Sequence, residues 1–234
     1  MFSDAVTDMD LAPLIAPISL TITLAFSVTL ILLVIGTPIA WWLAHGRWAG
    51  KEIVGAIVTL PMVLPPTVLG FYLLLAFGPN GPGGTLAGLW GARTLAFSFG
   101  GLVIGSVVAS LPFMVQPLRN GFAAIEKEVL EAADTLGASR WQLYWRVVLP
   151  LARPGYLVGG IMAFAHTVGE FGVVLMIGGN IPGKTKVLSI AIYDFVERLE
   201  WDKAHMLAGG MVVFAFMVIF STLMVNRRMM TPLG

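Results

Sequence analysis

Two short constellations in this sequence carry side chains whose types and spacing suit chemistry. His166 and Glu170 stand four residues apart in Ala165-His166-Thr167-Val168-Gly169-Glu170-Phe171-Gly172. On a helix that spacing puts the imidazole and the carboxylate on one face, within hydrogen-bonding reach. Such a pair can lock helices together, serve in a gate or pathway, or contribute two metal ligands. No further ligand lies at suitable spacing, so no metal site is expected. The second constellation, Gly178-Gly179-Asn180-Ile181-Pro182-Gly183-Lys184-Thr185, matches G-x(4)-G-K-T. In nucleotide-binding proteins that loop joins a strand to a helix, and backbone N–H groups with the helix N-terminus cradle phosphates. Here a long apolar run precedes it and Pro182 removes a donor. Neither nucleotide binding nor an autonomous membrane ATPase is expected of it.

The elements that must position these residues are apolar blocks. Of 234 residues, 57 % are hydrophobic, well above the roughly 45–50 % of soluble domains, and the mean hydropathy is +0.87. Five blocks, 18–43, 53–77, 95–118, 155–179 and 206–225, are each 20 to 26 residues long. About 20 apolar helical residues cross the hydrocarbon core of a bilayer. All but the fourth block lack Asp, Glu, Lys and Arg. The expected fold is an all-α, polytopic membrane helix bundle of about five transmembrane helices, in place of a soluble bundle. A net charge of +1 with no basic patch gives no reason to expect nucleic acid. The absence of cysteine excludes disulfides and thiolate metal sites. The first ten residues hold Asp4, Asp8 and Asp10 with no Lys or Arg, unlike the positive start of a signal peptide.

Between the third and fourth blocks lies a polar stretch, 126–154, with eight charged residues. Ile125, Val129, Ala132, Ala133 and Leu136 share one helical face. Gly137 stands where a helix C-terminus favours a residue tolerant of positive φ. Ser139 with Gln142 is a capping-box signature for a second helix, expected to end before Pro150. Trp141, Tyr144, Trp145 and Val148 form an aromatic stripe along it, and Arg140, Arg146 and Arg153 suit phosphate headgroups. Two short helices bent about a glycine at a membrane surface make a shape that can dock into a partner.

The run Glu131-Ala132-Ala133, then Gly137, then Leu149-Pro150 resembles the EAA loop of ABC importer permeases, E-A-A-x(3)-G-x(11)-L-P. The second block is interrupted as Leu60-Pro61-Met62-Val63-Leu64-Pro65-Pro66-Thr67-Val68-Leu69-Gly70. Prolines there must kink or break a helix, which membrane depth tolerates only beside protein or a water-filled cavity. A kink against neighbours and a break lining a pathway both fit. The wording of that run and Gly169-Glu170-Phe171-Gly172 resemble the molybdate permeases within the wider family. Those permeases have a similar Asn-Ile-Pro-Gly loop where this chain has 180–183.

The resemblance implies a type I importer permease fold, with a domain over 18–225 and a cytoplasmic coupling loop over 119–154. An extracytoplasmic segment, 1–17, would precede it and a cytoplasmic tail, 226–234, would follow. Its activity would be import of molybdate or a similar oxyanion such as tungstate across a bacterial inner membrane. The implied partners are two cytoplasmic ABC ATPase subunits, an extracytoplasmic substrate-binding protein, a second copy of the chain and membrane lipid. The chain itself would be no enzyme and need no cofactor, ATP hydrolysis belonging to the partner. Glu131, Ala132, Ala133, Gly137, Leu149 and Pro150 would form the coupling loop. Pro61, Pro65, Pro66, Gly169, Glu170, Phe171 and Gly172 would line the pathway or gate. A carboxylate repels an oxyanion, so Glu170 suits a gate better than a substrate contact.

Charge agrees on the orientation. With the N-terminus outside, nine Lys and Arg fall on inner segments and five on outer ones, as the positive-inside rule requires. The external loop 78–94, with six glycines and two prolines, is expected to be irregular. The stretch 187–199 is expected to form an amphipathic helix, too short to span, at the outer surface. It would either join a platform for the binding protein or pack on the bundle. The rival reading is a self-sufficient secondary carrier or channel for an anion. Such carriers commonly pair interrupted helices in corresponding positions, and the sequence shows no counterpart to the interrupted second block.

Overall fold

The computed structural model describes residues 12–230, with side chains from 14 to 224. All regular elements among them are helical. In chain order these are α1 (Ala12–His45), α2 (Lys51–Val63), α3 (Pro66–Phe77), α4 (Pro82–Gly88), α5 (Phe99–Ala123), α6 (Lys127–Thr135) and α7 (Arg140–Leu143). A π-helical turn (Tyr144–Val148) leads on to α8 (Leu149–Gly169), α9 (Gly172–Gly178), α10 (Leu188–Glu197) and α11 (Trp201–Met230). Residues 1–11 of the expected 1–17 segment and 231–234 of the expected tail lie outside the described residues.

Four helical stretches are long and apolar enough to cross a membrane, and the bent pair α2–α3 makes a fifth if taken as one span. With that pair taken as one span, the five expected spans are present, with altered ends. α1 begins at Ala12, six residues before the first apolar block. α5 begins at Phe99 because Ser98 caps it, its hydroxyl accepting from the Gly101 N–H at 3.0 Å. Just before that cap Phe97 has a φ of 59° and its N–H donates to the Ile177 carbonyl. The glycine-rich 78–94 segment is not wholly irregular: Pro82 starts the seven-residue helix α4, its fixed φ suiting a first helical position.

The core is built around α5, which packs most extensively on α8 and α1. Leu24, Val28 and Leu32 of α1, Leu102, Met114, Leu118 and Phe122 of α5, and Ala152 and Ala163 of α8 are fully buried. The α5–α8 crossing is a contact of backbones. A Cβ on Gly155 would lie 2.7 Å from the Pro117 carbonyl oxygen, and one on Gly121 would lie 3.3 Å from the Gly155 Cα. Small residues permit such approach between membrane helices. A smaller outer cluster joins Leu14, Leu188, Ala191, Phe195, Ala204 and Leu207. Among the described residues α11 is almost bare, packing chiefly on α10 and α8, with exposed Val212, Val213, Phe216, Ile219 and Leu223.

Candidate functional site

Two regions hold the residues that the sequence singled out, and α8 runs between them. The first is the polar loop. α6 carries Glu131, whose carboxylate pairs with Lys127 at 2.7 Å. The hydrogen bond from Lys127, then its charge, holds the Glu131 carboxyl below its ordinary value. α6 ends in a Schellman motif. The Gly137 N–H donates to the Asp134 carbonyl at 2.9 Å and the Ala138 N–H to the Ala133 carbonyl at 3.1 Å. Gly137 sits at φ +75°, the left-handed conformation that this motif needs at its turning residue. The capping box also forms: Ser139 Oγ accepts from the Gln142 N–H, and Gln142 Oε1 from the Ser139 N–H. These bonds fix the angle between α6 and α7.

Neither α6 nor α7 buries a residue. Leu136 at the bend is 87 % exposed and Trp141 71 %, with the Trp141 and Trp145 rings edge to face at 5.3 Å. The opposite side of the loop is seated, with Val148 buried and the Tyr144 hydroxyl 2.9 Å from that of Tyr156. A cavity of about 500 Å³, lined by Thr37, Trp41, Asp134, Arg140 and Tyr144 among others, separates α1 from the loop.

The helix after Ser139 does not end before Pro150. The chain turns through Tyr144–Val148 as a π-helix, the Leu149 N–H donating to the Tyr144 carbonyl, and continues as α8 through Pro150 and Pro154. Pro150 has no N–H for the carbonyl one turn back, and its ring crowds that carbonyl. A widened turn relieves both faults without ending the helix. Leu149 and Pro150 thus join the loop rigidly to a helix about 30 Å long.

At the far end of α8 lies the second region, where two breaks meet. α2 and α3 bend by 111° at Leu64 and Pro65, which are extended with ψ of 137° and 133°. Pro61 lies inside α2 and Pro66 opens α3. The fourth span, expected to be continuous over 155–179, is also broken. Glu170 is extended (ψ 130°) and α9 restarts at Gly172. No proline makes this break. Glu170 Oε1 accepts from the Val173 N–H at 2.9 Å, capping α9, and the Glu170 carbonyl accepts from Ser189 Oγ at 2.7 Å.

The two restarted helices lie against each other. A Cβ on Gly172 would stand 2.7 Å from Pro66 Cβ, and one on Gly70 2.7 Å from Met176 Cβ. Pro66 and Gly172 are thus brought together, while Pro65 and Gly169 are exposed and the Phe171 ring lies tilted against that of Tyr193, centroids 5.2 Å apart. The interrupted second span does have a counterpart, so its absence no longer argues against a carrier. His166 lies 3.6 Å from Glu170, one turn on at the end of α8. Its other ring nitrogen meets Ser110, which also meets Thr167. The sequence reading missed Ser110, Thr167 and Ser189; three hydroxyls in otherwise apolar segments were the available signal.

The 178–185 loop follows helix α9, with no strand before it, and the next helix, α10, starts only at Leu188. The Thr185 hydroxyl is spent inside the loop, donating to the Gly178 carbonyl and accepting from the Ile181 N–H. What holds the loop down is Asp194 of α10, buried and bonded to Lys186, to Asn180 at 2.9 Å and to Arg198 at 3.2 Å. Burial works to raise the Asp194 pKa. The hydrogen bonds from Lys186 and Asn180 and the charges of Lys186 and Arg198 outweigh it, holding the carboxyl below its ordinary 3.8. A lowered folded-state pKa contributes stability that is complete above the unfolded value and is lost as pH falls through the folded one. Protease resistance of the 178–198 region is therefore expected to be flat from pH 5 to 8 and to fall only below pH 3.8. Asp194→Ala, which strands the partly buried Lys186, should cost roughly 3 kcal/mol and open the region already at neutral pH.

With this geometry in view, similarity to known proteins is informative. Residues 36–229 match the family described as binding-protein-dependent transport system inner membrane component. The chain is 58 % identical over 207 residues to the molybdenum transport system permease protein ModB of Azotobacter vinelandii, covering 88 % of this chain and 92 % of that one. It is 34 % identical over 222 residues to the ModB of Haemophilus influenzae, covering 94 % and 96 %. Among solved structures it resembles a bacterial alginate ABC transporter in complex with its alginate pentasaccharide-bound periplasmic protein. That likeness has a TM-score of 0.73 at 19 % identity, covering 98 % of this chain and 83 % of that one, and shows the fold.

Proposed function

The chain belongs to the binding-protein-dependent transport system inner membrane components, the permeases of ABC importers, and from that premise we propose that it carries molybdate, or a similar tetrahedral oxyanion such as tungstate, into the cytoplasm. The observation that carries the substrate is the 58 % identity, along 92 % of its length, to a molybdenum permease. It is a multi-pass protein of the inner membrane and the non-catalytic part of its transporter. The rival of a self-sufficient carrier is not favoured, because family membership now separates the two where the pairing of broken helices does not.

The energy source in this reading is a pair of cytoplasmic ATPase subunits that seat the loop of α6 and α7. Its exposed Leu136 and Trp141 support that role, since large apolar side chains at a cytoplasmic loop tip suit a partner's cleft. Glu131, Ala132 and Ala133 shape the first helix, Gly137 the bend, and Leu149 and Pro150 the join to α8. Closure of the ATPases then pulls on one end of α8, and the break at Glu170 and Phe171 moves at the other. The packed α3–α9 pair, with Pro65, Pro66, Gly169, Glu170, Phe171 and Gly172, serves as the gate beside the pathway, and Pro61 shapes its approach. Two discrete packings of such an element are the usual basis of switching. A second copy completes the pathway, and an extracytoplasmic binding protein delivers the anion to the side that carries α10. The N-terminus lies outside, as the charge count supports.

Purifying the tagged chain from cells that produce its ATPase tests this reading. The wild type should capture the ATPase and import labelled molybdate in proteoliposomes only with ATP and binding protein. Glu131→Lys, which reverses the charge beside Lys127, should lose capture or leave ATP hydrolysis without import. Oxyanion movement down a gradient by the chain alone, with no ATPase bound, would overturn the importer reading in favour of the carrier.

A further inference from the structure

The polar chain behind the α8–α9 break has a direction that proton counting fixes. The Thr167 hydroxyl lies 2.8 Å from the Ala163 carbonyl. A carbonyl only accepts, so the single proton of Thr167 is committed there. Ser110 Oγ lies 2.9 Å from Thr167 Oγ1 and must be the donor in that contact. With its own proton committed, Ser110 can only accept from His166 Nδ1, 3.0 Å away. His166 therefore carries a hydrogen on Nδ1.

In a neutral ring Nε2 is then a bare lone pair, and it faces Glu170 Oε2 at 3.6 Å. The ring cannot turn away, being held by Ser110 and stacked on Phe113 with centroids 3.9 Å apart. The carboxylate cannot turn away either without giving up the Val173 N–H. A lone pair against an anion repels, and one more proton removes the conflict. It sits on Nε2 facing a carboxylate or on Oε2 facing the ring, and it belongs to the pair rather than to either residue.

We propose that His166 and Glu170 form a proton-binding site at the α8–α9 break, and that the break keeps the packing described above only while the pair holds that proton. Other charges on the packed elements are few. α3 and α9 carry no charged residue and α3 only Tyr72; α5 has only Arg119, at its inner end; within α1 only His45 ionises, also at its inner end. α10 brings Asp194, engaged with Lys186 and Arg198, together with Tyr193 and Glu197, which bond to each other. α11 brings Asp202, Lys203 and His205 at its start and Arg227 and Arg228 near its end, and α8 itself adds Arg153 and Tyr156. The site differs in kind from the oxyanion pathway proposed above, and only the uptake arm of its test rests on that reading.

The direct test is the ¹⁵N spectrum of the histidines, with the wild-type chain in lipid nanodiscs. The chain has three histidines, and the His166 signals are those lost in His166→Gln. At pH 7 His166 should show a protonated Nδ1, either as imidazolium or as the Nδ1–H ring bonded to a protonated Glu170, and Ser110→Ala should release it toward the Nε2–H form. A wild-type ring with bare Nδ1 and protonated Nε2 would overturn the proposal. In the uptake arm, molybdate imported per ATP hydrolysed should fall about tenfold per pH unit above the apparent pKa of the pair, as loss of one proton requires. Glu170→Gln replaces the dissociable proton with a permanent amide hydrogen and should abolish that decline. A Glu170→Gln chain with the wild-type pH profile would count against the proposal. Failure of the wild type to import at any pH would instead count against the importer reading, with the tautomer still deciding this one.

Discussion

Gly137→Val is expected to leave the chain folded in the membrane but to weaken ATPase capture roughly 5- to 30-fold, with import falling alongside. The residue sits at φ +75° with nothing within 4 Å of where a Cβ would be, so the damage is not a clash. It is the cost of holding a side chain in the left-handed region, about 1–2 kcal/mol, at its worst for a β-branched residue. A change of one to two kcal/mol alters an equilibrium by about 5- to 30-fold. The loop escapes that cost by abandoning the Schellman bonds at Ala133 and Asp134, and α7 then leaves the angle at which it presents Trp141. Gly137→Asn makes the argument testable, since asparagine visits this conformation readily and should retain most of the capture. Equal loss in both variants would mean that the space at Gly137, rather than its backbone angle, matters to the partner.

Gly155→Val is expected to prevent accumulation of folded protein altogether. A Cβ there meets the Pro117 carbonyl at 2.7 Å, the Leu118 Cα at 3.3 Å and the Gly121 Cα at 3.4 Å. All three are backbone atoms of α5, so no side chain can swing aside. Overpacking commonly costs 1–3 kcal/mol where side chains can adjust; here two core helices must part, and about 3 kcal/mol is a lower bound. Gly160, on the same helix, has open space where its Cβ would be, and Gly160→Val should behave like the wild type. Yield and monodispersity in detergent, followed by limited proteolysis, compare the two directly. If both variants fold, the close α5–α8 crossing is not what holds the bundle.

The predicted interruption at the prolines of the second span, the left-handed Gly137 and the Ser139–Gln142 capping box all appear in the structure, for a shared reason. Each rests on a hydrogen bond or a steric rule confined to a few neighbouring residues, so the local sequence suffices to specify it. The five apolar spans were equally legible, because bilayer thickness translates directly into residue number.

The features that depend on remote atoms were hidden. The break at Glu170 contains no proline; it exists because the Glu170 carbonyl finds Ser189, 19 residues away, while Gly172 admits Pro66 to backbone contact. The order Thr167, Ser110, His166 likewise crosses from α8 to α5, between residues 56 or 57 apart. Pro150 looked like the end of a helix because a local rule forbids proline in an α-helical interior. The chain avoids the rule by widening one turn, with Val148 buried and Tyr144 tied to Tyr156 on α8. By itself the sequence determined which segments are long and apolar enough to cross a membrane and how the chain bends at Gly137 and is capped at Ser139, since local bonds and bilayer thickness decide both. The tertiary structure alone decided that two broken spans meet and that Ser110 and Ser189 reach His166 and Glu170 from other helices, because only packing between distant helices brings those atoms together.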